Sequence, residues 1–138
     1  MAITTAVCNS YKREILEGIH QLADDYKIAL YTDAATLGAG TTAYSSTNEV
    51  SGAGYTAGGQ SLTGAAAALA SGVGYLDFND PAWANATITA RGALIYNASK
   101  SNRAVAAFDF GANVSSTSAE FKVTMPAPGS TTAVVRVA

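Results

Sequence analysis

Residues 86–110 constrain the fold more than any other stretch of this chain, because they read as one long β-strand, a polar turn and a second strand. One parity of the first strand carries Ile88, Ala90, Gly92, Leu94 and Tyr96, and the other carries Thr87, Thr89, Arg91, Ala93 and Ile95. At about 3.3 Å per residue the strand over 86–96 spans roughly 35 Å. Gly92 permits a bend or bulge at which it could pass from one sheet to another. Residues 98–102, Ala-Ser-Lys-Ser-Asn, turn the chain into a second strand over 103–110, where Phe108 and Phe110 share a face.

Further strands are predicted over 26–32, near 60–63 and over 73–78, with Asn79-Asp80-Pro81 as a turn after the last. A final pair over 120–125 and 132–137 is joined by Pro126-Ala127-Pro128-Gly129. About six to eight short strands separated by turn signals predict an antiparallel β-sandwich or jelly-roll-like domain with one N-terminal α-helix. That helix is placed at about 10–23, from the helical spacing of Tyr11, Ile15, Leu16, Ile19 and Leu22, with Asn9 or Ser10 as cap. Asp24 and Asp25 then mark its end as a solvated pair, since the negative pole of the helix disfavours them.

The whole chain reads as one domain over 1–138, with a helical segment at 1–25 and a sandwich at 26–138. Within the sandwich lies an irregular insertion at about 34–72, rich in Ala, Gly, Ser and Thr. Between residues 34 and 76 the only charged side chain is Glu49. Tyr44, Val50, Tyr55, Leu62 and Leu69 are spaced through this segment, so it is expected to be ordered but irregular. Residues 65–70 are expected to form a helical turn or a packed apolar loop.

Charged residues make up 13% of the 138, about half of ordinary usage, and the net charge is −2. A surface so poor in charge is expected to meet other protein, and a homo-oligomer is the natural form. Its 8 basic residues are scattered, which argues against nucleic acid as a partner. No stretch approaches the roughly 20 apolar residues of a membrane span, and the N-terminus lacks the order of a secretion signal. Synthesis in a cytoplasm is therefore expected, and the single Cys8 reads as a small buried hydrophobe. The triplets at Asn85, Asn97 and Asn113 match the glycan-acceptor pattern by chance in a chain this rich in Ser, Thr and Asn.

Groups that could carry chemistry are few. His20 is the lone histidine and has no Ser or Cys partner at a telling spacing. Asp77, Asn79 and Asp80 crowd oxygens at a turn, but their spacing fits turn capping and not a complete calcium loop. One Cys and one His cannot fill a structural zinc site. The glycines near Gly52 do not stand between a strand and a helix as a phosphate-binding loop requires. Tyr44, Tyr55, Tyr75, Trp83 and Tyr96 could stack against sugar rings or fill a sandwich core. This reading assigns no catalytic, cofactor or metal residue.

Four runs carry a resemblance. They are Asn9-Ser10-Tyr11-Lys12-Arg13-Glu14-Ile15-Leu16-Glu17-Gly18-Ile19-His20; residues 26–32, Tyr-Lys-Ile-Ala-Leu-Tyr-Thr; residues 48–59, Asn-Glu-Val-Ser-Gly-Ala-Gly-Tyr-Thr-Ala-Gly-Gly; and residues 83–96, Trp-Ala-Asn-Ala-Thr-Ile-Thr-Ala-Arg-Gly-Ala-Leu-Ile-Tyr. In order and spacing, up to Gly111, the chain resembles a group of small virion structural proteins of tailed bacteriophages. The resemblance implies a non-enzymatic particle component made in the bacterial host cytoplasm and located in the virion. The expected role is a capsid decoration or cement protein that binds the major capsid protein or other virion proteins. A neck, tail or fibre-associated component and a carbohydrate-binding adhesin are the alternatives. Tyr11, Ile15, Ile19, Tyr55 and Trp83 are the expected interface residues.

Overall fold

The computed structural model describes residues 2–126, 129 and 132–137. Its described strands are β1 (Ala6–Val7), β2 (Tyr26–Tyr31), β3 (Gln60–Ser61), β4 (Ala66–Ala70), β5 (Val73–Asp77), β6 (Ala82–Asn97), β7 (Arg103–Lys122) and β8 (Val135–Val137). A single α-helix, α1 (Asn9–Leu16), follows β1. The strands form two antiparallel sheets, one ordered β1-β7-β6-β2-β3 and the other β4-β5-β8. The protein is thus mainly β and sandwich-like, with one N-terminal helix, as its strand and turn pattern predicts.

β6 shows two kinds of environment along its length. From Gly92 to Asn97 all six residues are buried, because β2 and β7 flank the strand and both faces are covered. From Ala86 to Ala90, buried Ala86, Ile88 and Ala90 alternate with exposed Thr87 and Thr89, so only one face is covered there. The ladder with β7 shifts register between Ala90 and Gly92. At that point a Cβ on residue 92 would lie 2.3 Å from the Phe108 carbonyl oxygen and 2.8 Å from Ile3 Cδ1. Glycine is required by the closeness of its neighbours. The expected bulge is present, but β6 stays within the five-stranded sheet and does not cross to the other.

The two strands predicted over 103–110 and 120–125 are one, β7, which runs from Arg103 to Lys122. Residues 111–119 had the polarity of a loop because nearly all of their side chains face solvent. Pairs such as Thr89 with Ser115 and Ile88 with Ser116 hold the ribbon together nonetheless. Residues 66–70 are also a strand and not a helical turn. Ser71 and Gly72, with φ of 50° and 77°, make the two-residue left-handed turn that favours a tight hairpin between β4 and β5. The predicted Pro126–Gly129 turn falls largely on residues outside those described. The predicted 132–137 strand is β8, reduced to Val135–Val137.

α1 ends at Leu16, several residues before the predicted limit. Gly18, at φ 73°, takes the left-handed conformation that terminates helices, and Ile19 N–H returns to the Glu14 carbonyl. Cys8 occupies the N-cap position with no side-chain cap, in place of Asn9 or Ser10. Leu16 and Leu22, expected on a buried stripe, are 88% and 50% exposed. Tyr11, Tyr26, Ile28, Leu76, Phe78 and Val135 all belong to the buried core, and the register that pairs Ile28 with Ile95 and Ala29 with Leu94 puts Leu94 on the other face of the five-stranded sheet. Tyr26 and Phe78 join the two layers directly, at 5.6 Å between ring centres. Gly92→Ala is expected to lower stability by about 2 kcal/mol through overpacking against β7, measured as a fall in urea midpoint at constant m-value.

Candidate interaction surfaces

The five residues expected at an interface do not form one contact face. Tyr11 and Trp83 are each only 6% exposed. Tyr11 packs on His20 at 4.7 Å, and Trp83 lies between Tyr55 at 5.9 Å and Phe121 at 6.3 Å. Both side chains are therefore committed to the interior, a correction to their expected role. Ile15 and Ile19 are half-buried, and Ile15 packs against the core. Tyr55 is half-buried as well, with its phenol bound to Glu49. Of the aromatic side chains that could stack on sugar rings, Trp83 and Tyr96 are buried, whereas Tyr44, Tyr55 and Tyr75 are half-buried.

His20 belongs to a buried polar network that ties the segment after α1 to the end of β6. Asn97 Nδ2 donates to Asp24 Oδ2 at 2.8 Å and to His20 Nδ1 at 3.0 Å. His20 Nε2 lies 2.9 Å from Glu14 Oε1, so both ring nitrogens are engaged in hydrogen bonds. Arg103 Nη1 holds the other Glu14 oxygen at 2.9 Å, and Lys100 Nζ holds Asp24 Oδ1 at 3.1 Å. Asp24 was expected to be solvated, yet its side chain is 10% exposed. Burial pushes both carboxyls up, but for Glu14 the bonds from His20 and Arg103 outweigh it, and for Asp24 those from Asn97, Gln21 N–H and Lys100 do. Each is held below its ordinary range.

A second network organises the insertion. Glu49 accepts from the phenols of Tyr44 and Tyr55 and, at 2.7 Å, from Gly58 N–H. Tyr55 in turn accepts from Leu30 N–H, and Tyr96 donates to the Gly58 carbonyl at 2.6 Å. The single charge of this segment thus fastens it to β2 and β6. Burial, reinforced by the nearby Glu49 carboxylate, pushes the Tyr96 phenol up to about 12 and those of Tyr44 and Tyr55 higher still.

At the Asp77–Pro81 turn, Asp80 Oδ1 accepts from Met125 N–H at 2.7 Å and Asn79 Nδ2 donates to Thr63 Oγ1 at 3.2 Å, so these side chains tie the turn to distant segments in place of the local capping expected there. Among the described residues, no group of three or more His, Cys, Asp or Glu could hold a metal ion. No helix among them is long and apolar enough to cross a membrane. A hollow of about 880 Å³ has an uncharged lining that includes Tyr31, Leu37, Thr41, Ser45 and Thr47.

What the sequence reading missed is the outer half of β7. Beyond Phe108 this strand has β6 on one side and, among the described residues, no strand on the other, because β1 pairs only with Ala106 and Ala107. Residues 111–119 carry no charge and all but Ser116 are exposed. The signal was the unbroken run Ser115-Ser116-Thr117-Ser118 facing the part of β6 that carries Thr87 and Thr89, which Gly111 obscured as an apparent strand end. Comparison of the chain with protein-family models, curated proteins and solved structures gave no match.

Two outcomes follow from the networks. Glu14 and Asp24 have folded-state values below their unfolded ones, so their stabilisation is present above about pH 4 and is lost as pH falls through the lowered values. Denaturation midpoints should drop on acidification below about pH 4, and Glu14→Gln should flatten that profile. Glu49→Gln removes the charge-assisted bonds to Tyr44, Tyr55 and Gly58 and should cost about 2 kcal/mol. Faster hydrogen exchange at Gly58 and early proteolytic cleavage within 34–64 would register the loss.

Proposed function

We propose that this protein is a virion structural component of a tailed bacteriophage that decorates the capsid and reinforces it by docking on neighbouring subunits. The observation that carries the reading is the outer half of β7, an exposed and uncharged ribbon with an unpaired edge. Natural proteins protect such edges with lysines, prolines or covering loops unless the edge is used. An incoming strand could satisfy its N–H and C=O groups and extend the five-stranded sheet, with side-chain contacts from the Ser/Thr surface. The resemblance of residues 9–20, 26–32, 48–59 and 83–96 to small phage structural proteins supplies the particle, and the edge supplies the means of attachment. The partner on this reading is the major capsid protein or another virion protein.

Copy number in purified particles tests the role. Hundreds of copies per virion support decoration, about a dozen or fewer assign the protein to the neck or tail, and absence from particles overturns the reading. Ser115→Pro, which removes an N–H from β7 and stiffens its outer half, should reduce particle occupancy at least tenfold while far-UV circular dichroism stays that of the folded protein. Unchanged occupancy would exclude β7 as the attachment edge.

A further inference from the structure

We infer that a second copy of this chain pairs with β4, joining two three-stranded sheets into one six-stranded sheet ordered β8-β5-β4-β4-β5-β8. This inference rests on the structural role proposed above and names one of its partners. Among the described residues β4 is an edge strand, bonded to β5 alone, with continuous register from Ala66 opposite Asp77 to Ala70 opposite Val73. It therefore presents a regular, unpaired row of backbone groups. No residue from 64 to 76 is charged and none is proline, so neither charge nor proline blocks pairing at this edge.

The side chains give a second, independent argument. Register places Ala67, Leu76 and Val135 in one row across the sheet, and Leu69, Gly74 and Val137 in the next row on the same face. The first row includes buried Leu76 and Val135 and faces the core. The second projects past it, with Leu69 75% and Val137 48% exposed. Val137 and Leu22, itself 50% exposed, border a groove of about 260 Å³ whose lining also takes in Ala67 and Ala68 of β4. A lone exposed leucine is unremarkable, but here it stands on an uncharged open edge beside that groove.

A second copy is the occupant that the charge pattern favours. Two-fold antiparallel pairing sets each residue opposite its own counterpart or a near neighbour, so any charge on the strand would meet a like charge. β4 has none to oppose. With the two-fold axis through Ala68 and perpendicular to the sheet, Ala67 of one copy faces Leu69 of the other, and Ala66 faces Ala70. Such an axis keeps the apolar faces of both sheets on one side. The Leu69 rows then become continuous, each leucine covering the alanine beside it.

Sedimentation of the purified full-length protein tests this pairing. The wild type should be dimeric at tens of micromolar. Ala68→Lys and Ala68→Asp should each weaken the dimer at least tenfold, with unchanged far-UV circular dichroism, and an equimolar mixture of the two should restore dimers that native mass spectrometry shows to be mixed. If either charged variant fails to fold, Ala68→Cys provides the readout, since oxidation should yield a disulfide-linked dimer through residue 68. A wild type that stays monomeric, charged variants that dimerise like the wild type, or an Ala68→Cys chain that does not cross-link would each overturn the pairing. A monomeric wild type found at high copy number in particles would remove this inference and leave the virion role intact, whereas a dimer absent from particles would do the reverse.

Discussion

The antiparallel pairing of β6 with β7 is the interaction on which the remaining elements depend. β2 bonds to the buried half of β6, β1 bonds to the facing part of β7, and Cys8, at the start of α1, donates its N–H to the Val105 carbonyl. The insertion reaches the outer half of the same pair, where Thr87 N–H bonds the Ala53 carbonyl. Gly92 sets how closely the two long strands approach, and the bulge beside it lets the ribbon change from two-sided to one-sided burial. The alanines Ala90, Ala93, Ala104, Ala106 and Ala107 are nearly fully buried along this pair. Small side chains permit the close layers that a core of this composition needs.

Because so much of the interior is alanine, polar groups hold parts of the fold that side-chain volume cannot. Glu14, Asp24 and Glu49 each accept several bonds and each join segments far apart in sequence: α1 to Arg103, the turn after α1 to Asn97 and Lys100, and the insertion to β2. A buried carboxylate is favourable only when its acceptor sites are filled, and breaking such a set leaves uncompensated charges. In a chain with few charges, three of its ten acidic side chains are therefore structural ties. Arg91 with Asp109 is a further pair, at 2.8 Å on the partly exposed face of the sheet.

Much of this architecture was legible in the chain, and the losses have particular causes. β2, β5 and the buried half of β6 were readable because apolar runs with turn signals at their ends mark covered strands. α1 was read too long, since Ile19 and Leu22 continue its helical spacing; Gly18, the actual stop, was outweighed by that periodicity. β4 was misread because a run of alanine favours helix, whereas Ser71-Gly72 and the partner strand Val73–Asp77 fix it as half of a hairpin. The outer half of β7 was lost because a strand exposed on both faces has no apolar period to show. The polar networks were illegible for another reason: Glu14 and Arg103, or Asp24 and Asn97, come together only through the fold. Glu49 alone gave a signal, as the sole charge in a long neutral segment.

Two places where sequence reasoning failed, β4 and the outer half of β7, are also long uncharged edges among the described residues. The coincidence has a physical basis. A strand whose partner lies within its own chain carries the evidence of that burial as an alternating pattern, because one face must match the core. A strand whose partner is another molecule needs only free backbone groups and the absence of opposing charge, and neither leaves a periodic trace. Low overall charge, which would be a liability for an isolated monomer with open edges, fits a chain whose edges are closed by neighbours. On the proposed reading, the neutrality of residues 64–76 and 111–119 has one consequence at both edges: a neighbouring strand meets no charge there.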